Sequence, residues 1–440
     1  MFLGIDIGTT SISAVVVDDK GKILRTITEK NNSQIVTNNK SRIQDVSIII
    51  NNCKEIVNEL TKKYRILTIG ISNQMHGILY IDKDCNALSP LFTWQDERGN
   101  EQYNESTYVQ KISEITGYHL STGFGTVSYY YDAINEGVPK NTAYIVTIGD
   151  YLSLALTNSK RPLMHSSNAA SLGLFDIKKC EWDTKAIEKA GLNVAYYPKV
   201  SKEVNLVGKY QDTINVYTAI GDNQASVYGT TKDNSGVVLN YGTGSQITFI
   251  IDKYYVAPLG CEIRPYFENK YLLIGGALCG GYAYQILKNF FSKVCGKAFD
   301  YEIMNHWAES VKEKDLPIVE TKFKGERHNP TSRAIITNLN ETNFTPEALT
   351  YAFLRGMSKE LKDFYDQIIK VVGEREYLIG TGNGVRLNPT FQKIIQKDYK
   401  LPLFIPEHLE EAAYGVAILT ASIIAKKSFK KCIKYKSLFS

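Results

Sequence analysis

Two stretches of this chain set glycine beside hydroxyl side chains in a pattern suited to phosphate esters: DIGTTS at residues 6–11 and NYGTGSQ at residues 240–246. A phosphate binds well where backbone N–H groups and hydroxyls converge on a loop with no Cβ atoms in the way. Gly8, Thr9, Thr10 and Ser11 offer this in the first stretch, and Gly242, Thr243 and Gly244 in the second. Asp6, just ahead of the first loop, is a charged residue in an otherwise apolar run. Burying it is costly unless a cation or a donor meets it. Mg²⁺ arriving on a nucleotide, held partly through water, would supply that charge; a plain hairpin with Asp6 paired to a nearby base is the competing account.

Asp222, in TAIGDNQASVYG (218–229), ends a strand pattern and begins a helix pattern. A carboxylate there projects beyond the strand ends, and a helix N-terminus keeps it ionised, as an acceptor for a hydroxyl proton must be. An ordinary N-cap aspartate would look the same. SNQMHG (72–77) and TWQDERG (93–99) each follow a strand and crowd amides, a histidine, a tryptophan, acids and an arginine into loops. Polyols need that mixture of fixed donors, acceptors and an aromatic face, although a core histidine and a surface ion pair explain His76 and Asp96 taken singly. Two more glycine clusters, IGGALCGG (274–281) and GTGNGVRLNP (380–389), run from a strand into a helix. The second fails the G-x-G-x-x-G fingerprint, and no G-x-x-x-x-G-K-[ST] occurs, which disfavours a P-loop enzyme. Six histidines without H-x-H or H-E-x-x-H spacing give no zinc pattern.

The elements that position these residues follow from a repeat. LGIDIGTTSISAVV (3–16) alternates apolar and polar residues about a Gly-Thr turn, the pattern of a hairpin. VVLNYGTGSQITFI (237–250) matches it, with Asp6 on Asn240, Gly8 on Gly242, Thr9 on Thr243 and Ser11 on Ser245. Two copies so far apart predict two similar lobes rather than a solenoid. Between them, short apolar strands such as 65–72 and 142–150 alternate with helical stretches such as 47–64, so each lobe is expected to be α/β. The turn-rich TTKDNSG run at 230–236 puts the boundary there, giving domains 1–232 and 233–440. A chain of 440 residues is long enough for two cores.

Composition narrows the class further. Apolar residues at 43% and charged residues at 22% exclude disorder. The formal charge of +5 is carried by the last fifteen residues, whose six lysines and absence of acids leave −1 for the rest. No nucleic-acid groove is therefore expected in the body, and the tail reads as frayed and solvated. The seven scattered cysteines, never spaced C-x-x-C, and the absence of a membrane-length apolar run or leader pattern predict a cytoplasmic protein with no membrane partner.

Taken together these motifs resemble the FGGY carbohydrate kinases of the actin-like ATPase superfamily, over nearly the whole chain. The resemblance implies two actin-like (ribonuclease H-like) α/β domains with a nucleotide and sugar cleft between them, and ATP and Mg²⁺ as cofactors. It implies Asp222 as catalytic base and Asp6 as the metal residue. DIGTTS and NYGTGSQ would take the phosphates, and Gly280, Gly281, Gly382, Asn383 and Gly384 the adenosine. It implies sugar contacts from Gln74, Met75, His76, Trp94, Gln95, Asp96, Arg98, Asn168 and Asp222. Within the family, RPLMHSSNAAS (161–171) and GYHLSTGFGTVSYYY (117–131) look closest to members acting on sedoheptulose, with xylulose and ribulose next. Thr126, Ser128, Ser167 and Asn168 are expected to meet the additional hydroxyls of a seven-carbon chain. The C-terminal signature is degenerate around 409–421. The partners expected are the sugar and ATP, for a monomer or homodimer; a non-catalytic actin-like protein would share the hairpins but has no need of the polar loops.

Overall fold

Both copies of the repeat fold as antiparallel hairpins, and their strand bounds recur at the spacing seen in the sequence. The computed structural model describes residues 1–37, 39–327 and 329–436. Contacts divide the chain into one unit of Met1–Thr230, Arg264–Asn269 and His408–Ile433, and another of Thr231–Ile263, Lys270–Glu407 and Lys434 onward. A single cut at 232/233 does not describe this division, because two later segments return to the first unit.

In the first unit the hairpin is β1 (Phe2–Ile7) and β2 (Ser11–Val17), continued antiparallel by β3 (Ile23–Lys30). On its other side β1 lies parallel to β4 (Thr68–Asn73), with Asp6 opposite Ser72. The sheet is extended by the antiparallel pair β5 (Leu206–Tyr210) and β6 (Ile214–Tyr217), in the order β5-β6-β4-β1-β2-β3. The short β7 (Ile220–Gly221) runs parallel to the end of β4.

Helix Val46–Lys63 starts where Asp45 accepts the N–H groups of Ser47 and Ile48, and it buries Ile49, Cys53, Ile56, Val57 and Leu60 in the sheet's core. Helix Glu411–Ala425 is apolar all round and buried from Ala412 to Ala421, as expected of a helix enclosed on every side. A second apolar cluster within 78–197 supports the loops discussed below.

In the second unit β8 (Gly236–Tyr241) and β9 (Ser245–Ile251) repeat β1 and β2 at an offset of 234 residues. β9 pairs with β10 (Tyr271–Ala277), and β8 lies parallel to β11 (Tyr377–Thr381), which lies parallel to β12 (Leu403–Pro406). The strand relations of the first unit are thus reproduced. Helix Pro389–Tyr399 has Pro389 in its first turn, and Asn388 Oδ1 accepts the Phe391 N–H at 2.9 Å.

The lysine-rich end is not frayed as far as it is described: Phe429 and Ile433 are each 2% exposed, and Tyr435 pairs with Pro406. Those two anchors are buried while Lys426, Lys427, Lys431, Lys434 and Lys436 are exposed. The last four residues of that stretch lie outside the described residues. Among the described residues no helix is long and apolar enough to cross a membrane.

Candidate active site

The parallel strands β1, β4 and β7 bring two carboxylates to one end of the first sheet, where ligands of α/β sheets sit. Asp6 lies near the end of β1 and accepts the Ser72 hydroxyl at 2.7 Å. Asp222 opens helix Asp222–Thr230 directly after β7, and its Oδ1 accepts the Asn223 N–H at 2.7 Å. Burial, then the charge of Asp222, push Asp6 up to about 7; Ser72 opposes the shift, while Glu410 and Glu411 add to it. Burial lifts Asp222 to about 6 against the Asn223 N–H and the charge of Arg264. Among the described residues no three His, Cys, Asp or Glu side chains form a ready metal cage. The acids that crowd here instead repel one another, a situation a divalent cation relieves.

The first hairpin is bound to both polar loops through one hydroxyl. Thr9 Oγ1 donates to Gln74 Oε1 at 2.9 Å and accepts Trp94 Nε1–H at 2.9 Å. Gln44 completes a ring, its Nε2 donating to Thr9 O at 2.9 Å and its Oε1 accepting from Gln74 Nε2 at 2.7 Å. Behind the loop Gly8 N–H meets Ser11 O, and Asn31 holds Gly8 O and Thr10 O, all at 2.9 Å. Thr9, Thr10, Gln44, Trp94 and Gln95 line a cavity of about 480 Å³, and Trp94 is 48% exposed there.

His76 has a left-handed backbone, φ 73°, uncommon for a side chain with a Cβ. Its Nδ1 lies 2.6 Å from Ser171 O and so donates its proton to that carbonyl. The ring stacks on Phe124 at 4.6 Å. Gln74 and Met75 are buried, and Met75 Sδ lies 3.5 Å from Arg264 Nη1. Arg264, Gln44, Glu410 and Glu411 were not singled out from sequence. The two glutamates sit in the degenerate 409–421 segment, and Arg264 in a segment whose return to the first unit no motif signals.

Several residues expected to meet sugar hydroxyls face inward instead. Asp96 is 0% and Arg98 6% exposed; Arg98 Nε meets both Asp96 oxygens at 3.0 Å, and its Nη1 meets Asp132 Oδ1 at 2.6 Å. Ser128 donates to Asp96 Oδ2 at 2.8 Å, and Tyr80 to Asp132 Oδ2 at 2.7 Å. The Arg98 guanidinium lies over the Phe92 ring at 4.1 Å. Asn168 is 0% exposed, with its amide N–H groups directed to Asn73 Oδ1 and Ala219 O. Thr126 and Ser167 are likewise 0% exposed. Thr126, Ser128, Ser167 and the Asn168 amide N–H groups are thus buried against protein groups in this structure, while Asn168 Oδ1 is buried with no hydrogen-bond partner.

In the second unit three glycine segments meet around Tyr241–Gly244. Gly280 N–H donates to Thr243 O at 2.9 Å and Gly281 N–H to Gly242 O at 2.8 Å. A Cβ on Gly280 would stand 2.5 Å from Gly244 O, so only glycine permits this approach. Gly382 has φ 80° and a backbone that runs equally close to Tyr241. Beside them lies a cavity of about 410 Å³ lined by Gly242, Thr243, Gly281, Tyr284, Asn383 and Gly384 among others. Gly244, Gly280 and Gly382 are not part of this lining. Tyr284 stacks on Tyr301 at 5.7 Å, and Asn305 Oδ1 accepts both Tyr284 OH and Asn388 Nδ2.

Residues 1–239 match the model of the FGGY family of carbohydrate kinases, N-terminal domain. The chain is 28% identical over 476 residues to the sedoheptulokinase of Mus musculus, covering 95% of this chain and 96% of that one. A solved xyloylose kinase from Brucella ovis superposes with a TM-score of 0.86 at 21% identity, over 99% of this chain and 93% of its own. Plasmodium falciparum glycerol kinase, solved with ADP, gives 0.82 at 22% identity, over 98% and 90%. Both structures bear on the fold, which is the two-domain actin-like one.

Proposed function

The chain belongs to the FGGY family of carbohydrate kinases and is itself an ATP-dependent carbohydrate kinase; from that premise we propose that it phosphorylates the terminal hydroxyl of sedoheptulose, with Asp222 as proton acceptor. The observation that carries the mechanism is the pair Asp6 and Asp222 at the ends of two parallel strands, β1 and β7, that both pair with β4, beside the first glycine hairpin. Asp222 would take the hydroxyl proton as the oxygen bonds to the γ-phosphorus and ADP leaves. A carboxylate lifted to about 6 remains mostly ionised at neutral pH and is a stronger base than an ordinary aspartate. Gln74, Met75, His76, Trp94 and Gln95 would hold the sugar, while Asp96 and Arg98 brace the loop that carries Trp94.

Gly8, Thr10 and Ser11 of the first hairpin, and Gly242, Thr243 and Gly244 of the second, would receive the phosphates. The cavity beside Gly281, Asn383 and Gly384 is large enough for an adenosine. Mg²⁺, when bound with ATP, supplies positive charge to the transferring phosphate, and Asp6 is the residue that would hold it. The crowding of Asp6, Asp222, Glu410 and Glu411 fits such a cation.

Sedoheptulose is preferred because the match to the mouse enzyme runs the length of both chains. Xylulose is the second reading, favoured by the burial of the four side chains expected to meet a longer sugar. Replacing Asp222 with Asn tests the proton acceptor: turnover should fall by roughly 10² or more with the KM for ATP nearly unchanged. Near-normal turnover would remove Asp222 from the reaction.

A further inference from the structure

The short helix Ser166–Leu172 binds the two segments that carry the proposed chemistry. Ser167 Oγ accepts the Gly221 N–H at 2.9 Å, one residue ahead of Asp222. Asn168 Nδ2 donates to Ala219 O at 3.2 Å and to Asn73 Oδ1 at 3.1 Å. Ser171 Oγ accepts the His76 N–H at 3.1 Å, and Ser171 O receives His76 Nδ1–H. One helix therefore grips the segment leading to the base and the histidine of the sugar loop.

His165 sets the direction of the first of these bonds. Its Nδ1 accepts the Ser167 backbone N–H at 3.2 Å and so bears no proton. The contact of 2.8 Å between Nδ1 and Ser167 Oγ is then donated by the hydroxyl, and Nε2–H donates to Lys202 O at 3.1 Å. With its hydrogen turned to His165, Ser167 Oγ presents only lone pairs to Gly221. Burial lowers His165 to about 4, so the ring stays neutral and the arrangement does not invert. The residue being held is a glycine, which without Cβ has the widest choice of backbone angles. Fixing its N–H removes the freedom that would let Asp222 swing.

We propose that Ser167, oriented by His165, is a positioning residue for phosphoryl transfer, holding Gly221 and through it the Asp222 carboxylate in register with His76. The inference rests on Asp222 being the proton acceptor. It also assigns a role to the MHSSNAAS motif (164–171) that the sugar contacts expected from sequence do not fill.

The test is a double-mutant cycle between Ser167→Ala and Asp222→Asn, with steady-state kinetics on MgATP and whichever ketose turns over fastest. Ser167→Ala should lower kcat by roughly 10-fold or more, as a displaced reacting group does. In the Asp222→Asn background the same change should cost less than about 2-fold, because residues acting as one unit are not additive. Ser167→Cys, isosteric and still a weak acceptor, should fall between Ser and Ala. If Ser167→Ala does not fold, His165→Phe takes its place, keeping a ring against Phe267 (centroids 5.6 Å) while releasing the hydroxyl; the same pattern is expected. Equal losses in both backgrounds, or an unchanged kcat, would overturn the proposal. Near-normal turnover of Asp222→Asn alone would overturn the proton-acceptor reading instead, a result that needs no change at Ser167.

Discussion

Adding one methyl group at Gly280 tests whether the second glycine hairpin receives the nucleotide. A Cβ there would lie 2.5 Å from Gly244 O, 2.6 Å from Gly244 C and 2.8 Å from Ser245 N. Unstrained carbon contacts begin near 3.5 Å, so the hairpin or the turn before helix Gly281–Cys295 must give by about 1 Å. All three obstructing atoms are backbone, so no side chain can swing aside. The bonds from Gly280 and Gly281 to Thr243 O and Gly242 O would be strained by the same movement. A misplacement of about 1 Å costs on the order of 10²-fold in rate, so kcat/KM for ATP should fall by roughly that factor. Overpacking should add about 1–3 kcal/mol of lost stability.

The assay is ADP release with varied ATP at saturating sugar, paired with calorimetric titration of the sugar. Sugar affinity should stay within about 2-fold, because additivity holds for independent sites and the proposed sugar residues belong to a separately packed unit. Gly276→Ala, in the neighbouring strand, is the stability control, since its Cβ would meet nothing nearer than 3.5 Å. Wild-type ATP kinetics in Gly280→Ala would refute the reasoning. So would an equal loss of sugar binding, which would mean the damage is not local.

Arg98→Met should destabilise the protein by about 3–5 kcal/mol in urea unfolding, because it leaves Asp96 and Asp132 buried without their cation; a loss below about 1 kcal/mol would mean the pair is solvated. Asp150 is raised by burial to about 7, against hydrogen bonds from Thr147. A raised folded pKa gives stability that is full below the unfolded value of 3.8 and is lost as pH climbs through about 7, here up to ~4 kcal/mol. Asp150→Asn should remove that slope, so the variant gains on the wild type between pH 5 and 8; parallel profiles would show that Asp150 is ionised in the fold.

The hairpins were legible because alternation about a Gly-Thr turn is local information, and the second copy begins and ends at residues equivalent to the first. Asp222 was legible from a strand running into a helix. Its nearness to Asp6 was not, since that depends on which strands lie beside β4. Polar residues were harder still. Arg98, Asp96 and Asn168 have side chains that a sugar could use, but Asp132 lies 34 residues from Arg98 and Ala219 lies 51 from Asn168, and these distant groups are the partners they take. Sequence shows a donor without showing who accepts from it. The tail misled in the opposite way: its lysines suggested solvent, while Phe429 and Ile433, spaced four apart, are the buried anchors.

The central claim is met most directly by a ketose panel assayed with the purified chain, MgATP and each of sedoheptulose, xylulose, ribulose and glycerol. Sedoheptulose should give the highest kcat/KM, by about 10-fold or more over xylulose, with one ADP released per 7-phosphate formed. A better rate on xylulose, ribulose or glycerol would contradict the substrate assignment.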